Sequence, residues 1–135
     1  MDNLQLADIL FPDVTASPED MEKRFPERDL PEGACVTRIG PSPTGFVHLG
    51  NLYNALIGER IAHQSGGVFY LRIEDTDNKR EVEGAVETVI NAMNYFGGNF
   101  DEGAVSDGDN GNYGPYRQRQ RKTLSHFFAK HLGPR

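Results

Sequence analysis

Between Cys35 and Ile73 the chain runs through a short β-prone segment, a loop punctuated by glycine and proline, an amphipathic helix, a glycine pair and a second β-prone segment. Few folds accept that order. Strands separated by a helix cannot form a tight hairpin; they lie parallel, joined by a crossover. Cys35 to Ile39 reads as the first strand. The helix covers about residues 50–64, with Leu52, Ala55, Leu56 and Ile61 at helical spacing and Gly66-Gly67 as the stop. Gly58 inside it costs about 1 kcal/mol relative to alanine and marks a place for close packing. Val68 to Ile73 is continuous enough to be a central strand covered on both faces. Asp75-Thr76-Asp77 then predicts the opening of a second helix, striped by Val82, Val86, Val89, Ile90 and Met93 and ended by Gly97-Gly98. The order β-α-β-α is the start of an α/β domain on a parallel sheet.

The flanks read differently. Residues 1–34 form an extension: a short helix around Leu4, Leu6, Ile9 and Leu10 ended by Phe11-Pro12, then a helix start at Ser17-Pro18-Glu19-Asp20 with Ser17 as N-cap. Phe25-Pro26 and Leu30-Pro31 interrupt regular structure after that helix. Residues 99–115, rich in Gly, Asp and Asn, read as an exposed loop. From about Tyr116 a last helix carries Leu124, Phe127, Phe128 and Leu132 on one side and stops at Gly133-Pro134. The expected organisation is an extension over 1–34 and a partial α/β domain over 35–135.

A chain of 135 residues buries one modest core. No apolar run is long enough to span a membrane, and the N-terminus lacks a signal-peptide pattern. Cys35 is the single cysteine, which excludes an internal disulfide and a Cys-rich zinc site and predicts a reducing, cytoplasmic setting. His63, His126 and His131 show no metal-ligand spacing and read as surface or helix-end residues. The net charge of −6 is unevenly spread: residues 1–34 carry −6, residues 35–80 carry +1, residues 81–111 carry −7 and residues 112–135 carry +6. A polyanion would be drawn to the C-terminal stretch, although a basic helix face in water gives the same pattern.

The chemistry concentrates in the loop after the first strand, Gly40-Pro41-Ser42-Pro43-Thr44-Gly45, and in the His48-Leu49-Gly50 that opens the helix. Free N–H groups and the positive end of the helix dipole suit a nucleotide's phosphates. The prolines stiffen the loop, Gly45 and Gly50 permit close approach, and His48 adds an imidazole donor. In an open parallel sheet, ligands bind beyond the carboxyl ends of the strands. If the two strands are neighbours, this loop and Arg72-Ile73-Glu74-Asp75-Thr76-Asp77 face one crevice. Arg38 and Glu74 then offer a guanidinium and a carboxylate to a small zwitterion.

These segments resemble the bacterial glutamyl-tRNA synthetases of class I. The family pattern runs roughly Arg-Phe/Ile-Ala-Pro-Ser-Pro-Thr-Gly, two residues, then His-Ile/Val-Gly, with Leu/Val-Arg-Ile-Glu-Asp-Thr-Asp following the second strand. Phe100-Asp101-Glu102-Gly103 and Gly114-Pro115-Tyr116-Arg117-Gln118 echo its later Asp-Glu-Gly and Gly-Pro-Tyr-x-Gln elements, so the likeness runs from about Val36 to Gln120. Gly40 stands where Ala is usual, Asn51 where a small residue is usual, and Asn78 where Arg is usual, with Arg80 two further on. Asn51 either caps the helix or crowds the nucleotide.

The resemblance implies the first half of a Rossmann-like catalytic domain. By its motifs, Arg38, Ser42 and Glu74 would bind glutamate; Pro43, Thr44, Gly45, His48, Gly50 and Asn51 would bind ATP, with His48 and Gly50 serving catalysis. Tyr116, Arg117, Gln118 and Arg121 are candidate contacts to tRNA(Glu), and Mg²⁺ would accompany ATP. The implied reaction forms glutamyl-adenylate and transfers the glutamyl group to tRNA, and needs bound tRNA for the first step. Neither step needs a protein nucleophile or a protein-bound metal. The family's later Lys-Met-Ser-Lys-Ser-type signature has no counterpart here, so the expectation is an N-terminal part, inactive alone. Three alternatives stay open: a glutamyl-queuosine-type paralogue, a small stand-alone nucleotidyltransferase, and a non-catalytic RNA-binding remnant.

Overall fold

A computed structural model of the protein describes residues 2–45, 47–77 and 81–132. The expectations for Asn78, Arg80 and Gly133-Pro134 lie outside the described residues. The chain divides into two compact units, residues 28–119, and residues 1–27 with 120–135.

In residues 28–119, four strands among the described residues form one sheet in the order β1-β2-β3-β4. β1 is Val36–Ile39, β2 Val68–Leu71, β3 Glu102–Val105 and β4 Gly108–Asn110. β1 and β2 are parallel, in the register Val36↔Val68 to Ile39↔Leu71. Between them lies α3, Leu49–Gln64, and after β2 comes α4, Ala85–Tyr95; α1 and α2 belong to the other unit. The predicted β-α-β-α core is present.

Packing explains the spacing. Phe69 and Leu71 are fully enclosed, whereas Val68 and Tyr70 are half-buried, so β2 is central but fully covered on one face alone. Ala55, Ala62, Phe69 and Met93 form one cluster, and Leu71, Ile73, Val86, Val89, Ala104 and Tyr116 a second. Gly58 lets α3 close on the sheet: a Cβ there would sit 3.3 Å from Phe69 Cε2, and the Gly58 carbonyl accepts from Thr37 Oγ1 at 2.7 Å. Ile61, placed on the apolar side by spacing, is half exposed, and Glu59 and Ala62 are buried instead.

Three expectations are corrected. The second helix opens at Ala85, after Gly84 in the left-handed region, and not at Asp75-Thr76-Asp77; Val82 precedes it and is half exposed. The segment after β2 has other partners: Ile73 N–H donates to Tyr116 O at 2.9 Å, Gln118 N–H donates to Ile73 O at 2.9 Å, and the Asp75 carboxylate accepts from Arg119 N–H at 2.8 Å. The supposed loop over 99–115 contains the β3–β4 hairpin. Glycine and aspartate are poor strand formers, but the Phe100 ring stacks on Phe69 at 5.0 Å and Asp101 N–H donates to Phe69 O at 2.9 Å, which draws the segment onto β2. Gly103 allows that approach, since a Cβ would lie 2.5 Å from Leu71 O. Finally, the last helix begins after Tyr116: a 3₁₀ turn spans Gln118–Arg121 and α5 runs Lys122–Leu132.

In the other unit, α1 is Asn3–Leu10 and α2 is Pro18–Arg24. Each is opened by a reciprocal side-chain cap, Asp2 with Gln5 and Ser17 with Asp20, and Pro18 sits in the first turn of α2 as its sequence predicts. Ala7, Val14, Leu124 and Phe127 are buried there. Lys130 ties α5 to α1 through Asp8 at 2.9 Å, and to the segment after α1 through the Val14 carbonyl at 2.9 Å.

Candidate functional site

The parallel register sets the two chemical segments side by side. Ile39 and Leu71 are level, and beyond them Arg72 N–H donates to Ile39 O at 3.0 Å and Glu74 N–H to Pro41 O at 3.0 Å. Pairing thus continues past both strands and fixes the Gly40–Gly45 loop against Glu74. Within the loop, Thr44 N–H closes a tight turn on Ser42 O at 2.8 Å, and Gly45 takes φ +79°. Val82 N–H donates to Pro43 O at 2.8 Å, and its side chain would touch a Cβ at Gly45 at 3.2 Å. The approach to α4 therefore clips onto the loop, and glycine is required there for both backbone and space.

His48 is the N-cap of α3, in extended conformation, and its imidazole is exposed. Leu49 and Gly50 stand in the first turn, where N–H groups have no intrahelical acceptor and can face an anion. A Cβ at Gly50 would lie 3.2 Å from His48 Nδ1, so glycine gives the ring its room. Of the two roles open to Asn51, the structure shows capping: its Oδ1 accepts from His48 N–H at 3.4 Å.

Arg38 and Glu74 meet, with Nη1 to Oε1 at 3.8 Å. Arg72 grips the same oxygen through Nε at 3.0 Å and Nη2 at 2.5 Å. Two guanidiniums and one carboxylate thus line the crevice mouth, a charge pattern complementary to a ligand with two carboxylates and one ammonium. Gly40 keeps this arrangement open, since a Cβ would lie 2.6 Å from Arg38 Nη1 and 3.1 Å from Glu74 Oε1. Ser42 is exposed in the loop and Pro43 is buried beneath it. Next to Pro43 opens a cavity of about 580 Å³, lined by Glu81, Val82, Glu83, Gly84, Glu87, Ser106 and Arg117 among others.

The later candidates separate. Tyr116 is buried, and its hydroxyl donates to Glu102 Oε2 at 2.6 Å and accepts from Tyr113 N–H at 3.1 Å. Burial, then the bond to Glu102, pushes its phenol up to about 12. Its ring packs with Leu71, Ile73, Val86, Val89 and Ala104. Arg117 donates to Val105 O at 3.1 Å, and Gln118 is half-buried beside Ile73. Arg121 belongs to the other unit.

Several residues escaped the sequence reading. Arg72 was legible: two positions before Glu74, strand alternation puts both on one face. Arg28 was not. It holds Glu102 through two hydrogen bonds of 2.5 and 2.8 Å and covers the Tyr113 ring at 3.7 Å. That hydrogen-bonded guanidinium holds the Glu102 carboxyl below its usual range. His63, read as a surface or helix-end residue, stands in the last turn of α3 and there bridges the buried Glu59 and the exposed Asp101, each at 2.9 Å. Its pKa is raised, first by the bond to Asp101. Among the described residues no three His, Cys, Asp or Glu side chains gather as a metal site, and no helix is long and apolar enough to cross a membrane.

A crevice at the carboxyl ends of parallel strands, with a glycine-punctuated loop entering a helix, defines a ligand-binding domain of Rossmann-like α/β type. The family model for class I tRNA synthetases (E and Q), catalytic domain, matches residues 34–132, and the chain belongs to that family. Among its relatives is the glutamate–tRNA ligase of Acetivibrio thermocellus, 59% identical over 133 residues, covering 98% of this chain and 24% of that protein. That of Clostridium perfringens strain 13 is 52% identical, covering 94% and 23%. The chain spans about a quarter of these curated relatives. Of solved structures, a glutamate–tRNA synthetase from Elizabethkingia anophelis superposes with TM-score 0.65 at 38% identity, over 72% of this chain and 19% of that one. A glutamate–tRNA ligase from Elizabethkingia meningosepticum in complex with its amino acid gives 0.64 at 37%, over 74% and 19%.

Proposed function

We propose that residues 28–119 form one wall of the site in which a glutamate–tRNA ligase joins glutamate to ATP and passes it to tRNA(Glu) in the cytoplasm. The observation that carries this reading is the Arg38–Glu74–Arg72 cluster, which the β1–β2 register brings together at the carboxyl ends of the two strands. Glu74 receives the ammonium of glutamate, Arg38 a carboxylate, and Ser42 a further polar contact from the loop. ATP lies along Pro43, Thr44, Gly45 and Asn51, with its phosphates toward the N–H groups of Leu49 and Gly50. His48 donates to a phosphate oxygen as negative charge builds. Mg²⁺ arrives with ATP as part of that substrate. The glutamate carboxylate attacks the α-phosphorus and pyrophosphate leaves; the terminal ribose hydroxyl of tRNA then attacks the carbonyl of the glutamyl-adenylate, taking the glutamyl group as AMP leaves. Positioning and charge stabilisation supply the rate, as in other phosphoryl and nucleotidyl transfers. Arg117, Gln118 and Arg121 remain candidate tRNA contacts.

The opposite wall is supplied by sequence that relatives carry beyond the matched quarter. The 135-residue chain is therefore expected to bind ligands weakly and to show no glutamate-dependent ATP–pyrophosphate exchange, with or without tRNA. Robust exchange by the chain alone would sink the two-wall reading. Glutamate binding that survives Glu74→Gln would remove Glu74 from the site.

A further inference from the structure

The residues that touch a ligand need something to hold them, and one long-range clamp stands behind Glu74. Its backbone neighbours are pinned by the segment after Tyr116. Ile73 pairs in parallel with Arg117, and the Asp75 carboxylate, almost wholly buried, accepts from Arg119 N–H at 2.8 Å. The Arg119 guanidinium then turns back, donating to the Asp75 carbonyl from Nη2 at 3.0 Å and Nε at 3.3 Å, and to Glu81 Oε2 at 3.0 Å. One side chain thus holds both Asp75 and Glu81. Glu74 sits at the pinned end, its own N–H fixed on Pro41 O at 3.0 Å.

We propose that Arg119 is a positioning residue: through Asp75 and Glu81 it holds the backbone that aims the Glu74 carboxylate into the crevice. A guanidinium suits the task, because its planar fork reaches a carbonyl and a carboxylate at once, which an ammonium cannot do with the same geometry. The Asp75 carboxylate adds a charge-assisted acceptor for a backbone N–H where solvent cannot compete. The consequence for glutamate rests on the substrate role proposed for Glu74; the clamp itself does not.

The test uses the 135-residue chain and two readouts by NMR: amide exchange at Glu74, and binding of L-glutamate and of a non-hydrolysable ATP analogue. Arg119→Ala is expected to speed Glu74 exchange about ten-fold and weaken glutamate binding by about the same factor, the net effect of losing the three guanidinium hydrogen bonds in part to water. Binding of the ATP analogue should change less than that of glutamate, because the Arg119 side chain reaches the Gly40–Gly45 loop only at second hand, through Glu81 and its neighbour Val82 and through the Glu74 N–H on Pro41 O. Asp75→Asn keeps an acceptor oxygen and should behave nearly as the native chain, whereas Asp75→Ala should match Arg119→Ala. Unchanged Glu74 protection in Arg119→Ala overturns the proposal. So does an equal loss of both ligands, which is the mark of general unfolding. If the native chain binds no glutamate, the substrate reading of Glu74 fails, and exchange at Glu74 still decides the clamp.

Discussion

Arg28 and Glu102 meet in a two-pronged ion pair across 74 residues of sequence, with the Tyr113 ring under the guanidinium and the Tyr116 hydroxyl on the same carboxylate. Both side chains are more than four-fifths shielded from solvent. This pair joins the segment before β1 to β3 and thereby supports Tyr116 and the residues after it. Arg28→Ala leaves the Glu102 carboxylate shielded and short of a partner, and is expected to cost about 2–3 kcal/mol. Urea denaturation monitored by circular dichroism measures it. Arg28→Lys should recover only part, because an ammonium loses the parallel geometry and the ring contact.

The tie at His63 predicts a pH dependence. The pKa of His63 is raised above its ordinary 6.5 by Asp101 and Glu59, so the protonated ring is the form that the fold favours. Its contribution is complete below pH 6.5 and is lost as pH rises through the raised folded value. Thermal melts from pH 5.5 to 8.5 should show stability falling over the upper part of that window, and His63→Gln should flatten the fall. Glu102 acts oppositely. Its pKa is lowered from 4.5, chiefly by Arg28, so its contribution is complete above pH 4.5 and is lost as pH falls through the lowered value.

Gly67 has no tolerance for a side chain. A Cβ there would lie 1.9 Å from Cys35 O and 2.7 Å from Cys35 C, both rigid backbone at the entrance to β1 and β2. Gly67→Ala must separate these strands and is expected to cost about 4 kcal/mol or to prevent folding, read as loss of the cooperative melt. Gly97→Ala is the informative contrast. It has positive φ, at +76°, but nothing within 4 Å, and should cost about 1 kcal/mol through backbone strain alone.

Asn51 caps the helix on which His48 stands. Asn51→Gly removes the acceptor for His48 N–H and adds backbone freedom in the first turn, so helix stability should fall by about 1 kcal/mol. Binding of an ATP analogue should not tighten. A clear gain in its affinity, measured by calorimetry, would show that the amide crowds the nucleotide instead.

The sequence was most legible where a signal is local. Ser17-Pro18 at a helix start, Pro41 to Gly50 between a strand and a helix, and Gly66-Gly67 after that helix each depend on backbone preferences of a few adjacent residues, and each is found where expected. Asp75-Thr76-Asp77 misled because acidic residues at a helix start are also good partners for remote donors. Arg119 outcompeted the local role, and the helix waited for Ala85. The Gly- and Asp-rich run around residue 103 misled because intrinsic strand propensity is weak beside the pull of an already formed strand edge.

By itself, then, the sequence determined the parallel β-α-β unit, the loop and helix start that could meet phosphates, and the family, because periodicity, turn chemistry and contiguous motifs are properties of neighbouring residues. The tertiary structure alone decided that Arg28 finds Glu102, that Arg119 closes on Asp75 and Glu81, and that Tyr116 is enclosed. A charged side chain can satisfy many opposite charges equally well until the sheet register sets the distances. Only then does geometry select one partner, and with it the shape of the crevice.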